Sequence, residues 1–167
     1  LTVADPPQTR GGGATRNAIP IYALPAHRID HHLVPDLALR TSALRGLGAL
    51  PNVFAIESMM DELALLAGED PLQYRLALLA DPRARYILER VASNANWAQR
   101  GRAGTGSGLG LGLARYKNRA AYAAVVVAVQ VDETVKLSQV WCVADAGLVI
   151  NPDGARGCGA VRGSEGE

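Results

Sequence analysis

The residues best suited by type to do chemistry in this chain fall into a few groups. His27, His31 and His32 are the only histidines and lie within six residues of one another. A metal needs a third or fourth ligand in fixed geometry, and the nearest carboxylates, Asp30 and Asp36, sit in a segment broken by Pro20, Pro25 and Pro35. The triad therefore reads as a solvated edge, and no metal ligand is assigned. Glu57, Asp61 and Glu62 stand at i, i+4 and i+5, which puts Glu57 and Asp61 on one helix face. Paired acids can exchange protons, but here they fit the wet side of a helix better. Arg100, Arg102, Arg115, Lys117 and Arg119 make a basic cluster with only Trp97 and Tyr116 among them, suited to a surface patch or a small anion rather than to nucleic acid. Cys142 lies in an apolar run and reads as a small buried hydrophobe; Ser58, Ser107 and Ser164 lack the G-x-S-x-G elbow of a hydrolase nucleophile.

A richer stretch runs from Leu39 to Asn52. Arg40, Arg45, Gly46 and Gly48 lead straight into a helix start at Pro51. Exposed N–H groups, a guanidinium and glycine clearance together suit an anionic or oxo-bearing ligand. An ordinary loop-to-helix junction has the same composition, and the residues alone do not separate the two.

The elements that position these groups follow from punctuation and periodicity. Residues 1–18, with Pro6, Pro7 and Gly11 to Gly13, read as a flexible lead-in. In 19–50 the prolines limit any strand to edge positions or extended connections around the Leu39–Asn52 loop. Residues 51–99 form a helical segment. Val53, Ile56, Met60, Leu63 and Ala67 recur at helical spacing until Gly68, and Phe54 and Leu63 are expected in the core. Asp70-Pro71 and Asp81-Pro82 each supply an N-cap followed by a first-turn proline, predicting helices over about 71–80 and 82–95. Residues 100–167 form a β-rich portion with an irregular tail. Glycines 104 to 112 at every second position share one strand face, which allows close approach of another backbone. Ala120 to Val131 reads as a strand buried on both faces, joined by Asp132-Glu133-Thr134 to a second strand over Val135 to Ala144 as an antiparallel hairpin. The fold class is α+β.

Composition excludes other classes. With 49% hydrophobic and 20% charged residues and a net charge of +1, the chain is globular and has no global field for nucleic acid or an anionic membrane. The longest apolar run, Ala123 to Val129, falls short of a membrane span. Cys142 and Cys158 make neither a disulfide framework nor a C-x-x-C zinc site. The opening Leu1 suits a processed, excised or incomplete chain, and neither cytoplasm nor periplasm is favoured.

Longer runs carry a family resemblance. Tyr22 to Pro25, Leu39 to Ala49, Asn52 to Ala64, Asp70-Pro71-Leu72 with Arg75, Leu78 to Arg85 and Val143 to Gly154 resemble, in order, the molybdopterin-binding large subunit of the xanthine dehydrogenase/aldehyde oxidase family. The branch is similar to the bacterial isoquinoline 1-oxidoreductase and nicotinate dehydrogenase type. The resemblance implies a molybdenum hydroxylase that oxidises an aldehyde or N-heterocycle with oxygen taken from water. It implies a molybdenum–molybdopterin cofactor in the cytosine dinucleotide form, a 2Fe–2S small subunit, and a c-type cytochrome subunit as a further partner.

The family's A-F-R-G-F-G loop falls on Ala43, Leu44, Arg45, Gly46, Leu47 and Gly48. By that resemblance Ala43, Leu44, Arg45 and Gly46 bind the cofactor, with Arg45 beside the metal-bound oxygens. Leu47 contacts substrate in place of an aromatic, which favours an aldehyde or a differently held ring. Two departures stand beside this match. After Asn151-Pro152-Asp153 the family continues Q-x-E-G-G, where this chain has Cys158 and Ala160; and the family's G-x-G-E-P glutamate has no counterpart, since Glu165 and Glu167 lie in another context. No catalytic residue is assigned, and the chain alone is expected not to turn over. The competing class is a non-catalytic α+β binding or interaction module.

Overall fold

The three expected helix starts carry helices in the computed structural model, which describes residues 13–32, 34, 38, 44–101 and 106–154. They are α1 (Ala49–Ala67), α2 (Pro71–Leu78) and α3 (Pro82–Asn94). The later strands are β1 (Ser107–Arg115), β2 (Tyr122–Val131) and β3 (Val135–Asp145), so the class is α+β. The chain divides into two compact units, one of residues 1–80 with 114–120, the other of 81–113 with 121–167.

In the first unit, α1 ends where Gly68 takes the left-handed conformation (φ 69°) and Glu69 N–H reaches back to the Ala64 carbonyl at 2.9 Å. Two residues later the Asp70 carboxylate accepts from the N–H groups of Leu72 (2.9 Å) and Gln73 (3.1 Å) and starts α2. α2 stops at Leu78, two residues short of expectation, because Asp81 must be extended both as the next N-cap and as the residue before Pro82. α1 and α2 pack together. The buried line of α1 is Met60 and Ala64, flanked by half-buried Val53, Ile56 and Leu63. Phe54 is a correction: it is 73% exposed, because it sits one position off that stripe, about 100° around the helix. Residues 19–32 form an extended connection without strand pairing, and Tyr22 is buried within this unit.

In the second unit, α3 buries Ala84, Ile87, Leu88, Val91 and Ala92, the i, i+3, i+4, i+7, i+8 pattern of a single core-facing stripe. Each large aliphatic side chain so buried contributes about 1.5–3 kcal/mol of transfer free energy. The helix packs on β2 and β3. The sheet order is β1-β2-β3, and β2 pairs antiparallel with β3 from Tyr122↔Asp145 to Val131↔Val135. The hairpin turns over Asp132 to Thr134 without a positive φ angle. Tyr122, Ala124 and Val126 are buried in alternation with half-buried residues, so β2 is not fully buried on both faces as expected, and Cys142 is exposed, contrary to its reading as a small buried hydrophobe. Close approach of another backbone is made at one glycine of this face, Gly106, where a Cβ would lie 2.7 Å from the Val131 carbonyl oxygen; no atom lies within 4 Å of a Cβ built on Gly108 or Gly110.

The N-terminus of α3 is locked to the far end of the hairpin. Asp81 accepts from the N–H groups of Arg83 and Ala84 with one oxygen and from the Tyr122 hydroxyl with the other, at 2.9 Å. Arg83 lies over the Tyr122 ring and grips Asp145 through two bonds of 2.7 Å. That fork, with the Gly147 N–H, holds the Asp145 carboxyl down to about 2.

Candidate functional site

The Leu44–Gly48 loop delivers the backbone into α1 through two successive turns, Leu47 N–H to the Leu44 carbonyl and Ala49 N–H to the Gly46 carbonyl, both 3.0 Å. Closing both turns in so short a span requires left-handed backbone at Gly46 (φ 89°) and at Leu47 (φ 51°). Glycine takes that conformation freely; a leucine does so at a cost of about 1 kcal/mol or more. The inner side of the loop is pinned. Gly48 is buried, its N–H donates to the Gly13 carbonyl at 3.3 Å, and a Cβ there would overlap the Ala14 carbonyl. Asn52, one turn into the helix, donates to the carbonyls of Ala14 (2.8 Å) and Arg16 (2.9 Å).

The outer side is open. Leu44 is 78% exposed, Arg45 is exposed, and Gly46 and Leu47 are half-buried. Ala43 lies outside the described residues. A Cβ built on Gly46 would touch only Leu50 atoms, at 4.0 Å. No side chain caps α1 and its first turn has no acidic residue, so the positive end of the helix dipole stands behind Arg45 uncompensated by carboxylate. An exposed guanidinium on a pinned loop at such a helix end can hold an anionic or oxo-bearing group.

Behind the loop, α1 is held by a buried charge. Arg75 is fully buried; its guanidinium donates to Glu57 Oε2 (3.1 Å), Asp61 Oδ1 (2.6 Å), the Pro71 carbonyl (3.1 Å) and the Glu57 carbonyl (2.8 Å). The Tyr22 hydroxyl donates to Glu57 Oε1 at 2.8 Å. Burial opposes the charge on Arg75, and Glu57 above all, with Asp61, overcomes it and keeps the guanidinium protonated. Burial, then the Glu57 charge, pushes the Tyr22 phenol well above its ordinary range. Glu57 and Asp61 do share a face, as their spacing requires, and both are committed to Arg75.

His27, His31 and His32 are exposed, and among the described residues no group of three or more His, Cys, Asp or Glu side chains is arranged to hold a metal. Arg100 stacks on the Trp97 ring at 4.0 Å, and Lys117 lies over Tyr116 at 5.4 Å. Arg102, Cys158, Ala160, Glu165 and Glu167 lie outside the described residues. No helix among the described residues is long and apolar enough to cross a membrane. Sequence reasoning missed Asn17: it is buried at φ 61°, donates to the Arg115 carbonyl (2.8 Å) and Asn118 Oδ1 (3.1 Å), and accepts from Lys117 N–H (3.1 Å). Its only signal was an asparagine, a residue that tolerates left-handed backbone, in an otherwise turn-like segment.

Residues 6–78, which contain this loop and the Arg75 network, match the molybdopterin cofactor-binding domain family. Over 157 aligned residues the chain is 38% identical to a nicotinate dehydrogenase subunit of Pseudomonas putida, covering 84% of this chain. Over 137 it is 36% identical to the beta subunit of isoquinoline 1-oxidoreductase of Brevundimonas diminuta, covering 79% of this chain. The chain belongs to the molybdenum hydroxylase family. It spans 13% and 17% of the length of these two relatives. Within the molybdenum hydroxylases, then, the Leu44–Gly48 loop and the α1–α2 pair fall in the cofactor-binding part, and the match stops at the end of α2.

Proposed function

We propose that this chain supplies one wall of the cofactor pocket of a molybdenum hydroxylase that oxidises an N-heterocycle or an aldehyde at carbon, with water as the oxygen source. The observation that carries the reading is the loop itself: Arg45 exposed on a backbone fixed from behind by Gly13, Ala14 and Asn52. The names of both relatives refer to N-heterocycles, which favours that arm over the aldehyde. When bound, a molybdenum–molybdopterin cofactor in its cytosine dinucleotide form supplies the two-electron oxidation and hands electrons to a 2Fe–2S small subunit, with a c-type cytochrome subunit as a further acceptor.

The residues of this chain fit such a group. Arg45 offers a planar fork of donors that stays charged at every working pH and orients an oxyanion bidentately. The backbone at Leu44 and Gly46 lines the cofactor, and the left-handed turn at Gly46 lets the main chain approach it without a side chain between. Leu47, an aliphatic side chain on a constrained backbone, bounds the substrate side and keeps water from it without stacking on a ring. The Arg75 network holds α1, and with it the loop, in place. The proton acceptor is assigned to no residue among these 167.

The test is Arg45→Ala in the complete enzyme. Turnover is expected to fall about 10²-fold, as on removing one preorganised donor, with the unfolding midpoint kept. Equal loss of turnover and stability would return Arg45 to a structural role. Elemental analysis is expected to find no molybdenum on the isolated chain after desalting; a stoichiometric amount contradicts that half of the reading.

A further inference from the structure

The β2–β3 hairpin has two faces of opposite fate. On one, Tyr122, Ala124 and Val126 are buried, with α3 packed on both strands. On the other, the register sets five cross-strand pairs in a row: Ala123↔Ala144, Val125↔Cys142, Val127↔Val140, Val129↔Leu137 and Val131↔Val135. Every one of those side chains is apolar. Cys142 is exposed, as are Val131 (50%), Val135 (72%) and Leu137 (56%). An antiparallel sheet that turns one face to water alternates apolar with polar; this one does not. The polar residues of the turn end, Gln130↔Lys136 and Gln139, fall on the α3 face instead.

Two further details point the same way. The register shift between Ala128 and Val129 makes Ser138 an extra residue on β3, its hydroxyl bonded to the Ala128 carbonyl at 3.0 Å. That single bulge keeps Leu137 and Val135 in phase with Cys142 and Val140; without it both would turn to the other face. Beside the hairpin, β1 adds a strand whose Gly108 and Gly110 have open space where side chains would stand. The result is a broad apolar ladder with a low flank, of the kind that soluble proteins cover.

We propose that this face is an interior surface, covered by a layer from further residues of the same polypeptide, outside these 167. The occupant is argued from length: relatives that align with most of this chain devote only 13% and 17% of their own length to the aligned stretch, which leaves most of such a subunit to supply the cover. An apolar ladder with no charged member fits an equally apolar helix or sheet layer packed about 10 Å away. Burial of this face does not depend on the cofactor reading, and a molybdenum-free protein tests it equally well.

Cys142, near the middle of the ladder, is the probe. In the full-length protein, maleimide labelling of the Cys142 peptide, read by mass spectrometry, is expected to be slower than in urea-unfolded protein by about 100-fold or more. A smaller factor overturns the proposal. So does protection that disappears on dilution to the monomer, since a second copy would then be the occupant. Independently, Val127→Lys is expected to lower the full-length unfolding midpoint, or prevent folding, while Gln139→Lys on the opposite face leaves it in place; equal effects of the two overturn the proposal.

Discussion

Arg75 offers the sharpest test of what holds the cofactor-binding unit together. Its side chain is fully buried and makes four hydrogen bonds to three residues of α1 and α2. The partners are not equal. Glu57 is 12% exposed and cannot rehydrate if Arg75 is removed, whereas Asp61, 47% exposed, can turn to water. Arg75→Leu should therefore cost about 3–5 kcal/mol, chiefly for the Glu57 carboxylate left buried without the guanidinium charge that compensates it. Asp61→Asn should cost about 1 kcal/mol or less. The double variant Arg75→Leu, Glu57→Leu should be less harmful than the sum of its parts by about 1–3 kcal/mol, because the one carboxylate left without Arg75, Asp61, is half-exposed and can be hydrated. Urea titration followed by far-ultraviolet circular dichroism, with hydrogen exchange at α1 and α2 amides as the local readout, measures all three. A loss below about 1 kcal/mol for Arg75→Leu, or equal losses for Asp61→Asn and Arg75→Leu, would refute the reasoning.

Two further outcomes concern the packing. Asp145 is held down to about 2, chiefly by the Arg83 fork, against an unfolded value near 4. Its stabilisation is thus complete above about pH 4 and is lost as pH falls toward 2; Asp145→Asn should flatten that part of the acid-denaturation curve, and an unchanged curve would count against the clamp. In the 167-residue chain, Met60→Ala should cost about 2–5 kcal/mol and Phe54→Ala less than about 0.5 kcal/mol, since Met60 is 2% and Phe54 73% exposed. The reverse order in a denaturant titration would place the core on the wrong face of α1.

The helices are legible in the sequence because their signals are local. Asp70-Pro71 and Asp81-Pro82 each contain a complete start, cap and first-turn residue, within two positions, and Gly68 contains a complete stop. The hairpin is legible for the same reason. Phe54 misleads because an apolar residue beside a helical stripe looks like part of it until the helix is given a partner. Cys142 misleads by a related step: a pattern apolar on both alternations says that both faces are built for burial, not that the residues at hand cover both. At the candidate site, the types around Arg45 and Gly46 suit an anion-binding loop and an ordinary loop-to-helix junction equally well. What pins it, the backbone of Gly13 and Ala14 and the side chain of Asn52, depends on pairings across 35 to 38 residues that no spacing rule reaches. Leu47 at positive φ is likewise hidden, since nothing in leucine itself predicts it.

Asn17 binds the carbonyl of Arg115, 98 residues further along. Asn118 in turn reaches the carbonyl of Ile19 at 2.6 Å. The unit that contains the Arg45 loop is thus discontinuous: its first 80 residues need a seven-residue piece, 114–120, which arrives only after α3 and β1 have been made. On a ribosome that adds residues one after another, α1 and α2 can dock early, yet the bonds of Asn17 wait for a segment still inside the machine. The backbone of Ala14 and Gly13, against which the loop rests, is part of the same N-terminal stretch. Completion of the unit that carries the Arg45 loop is therefore a late event in synthesis, timed by the emergence of Arg115 to Asn118 rather than by the loop's own position in the chain.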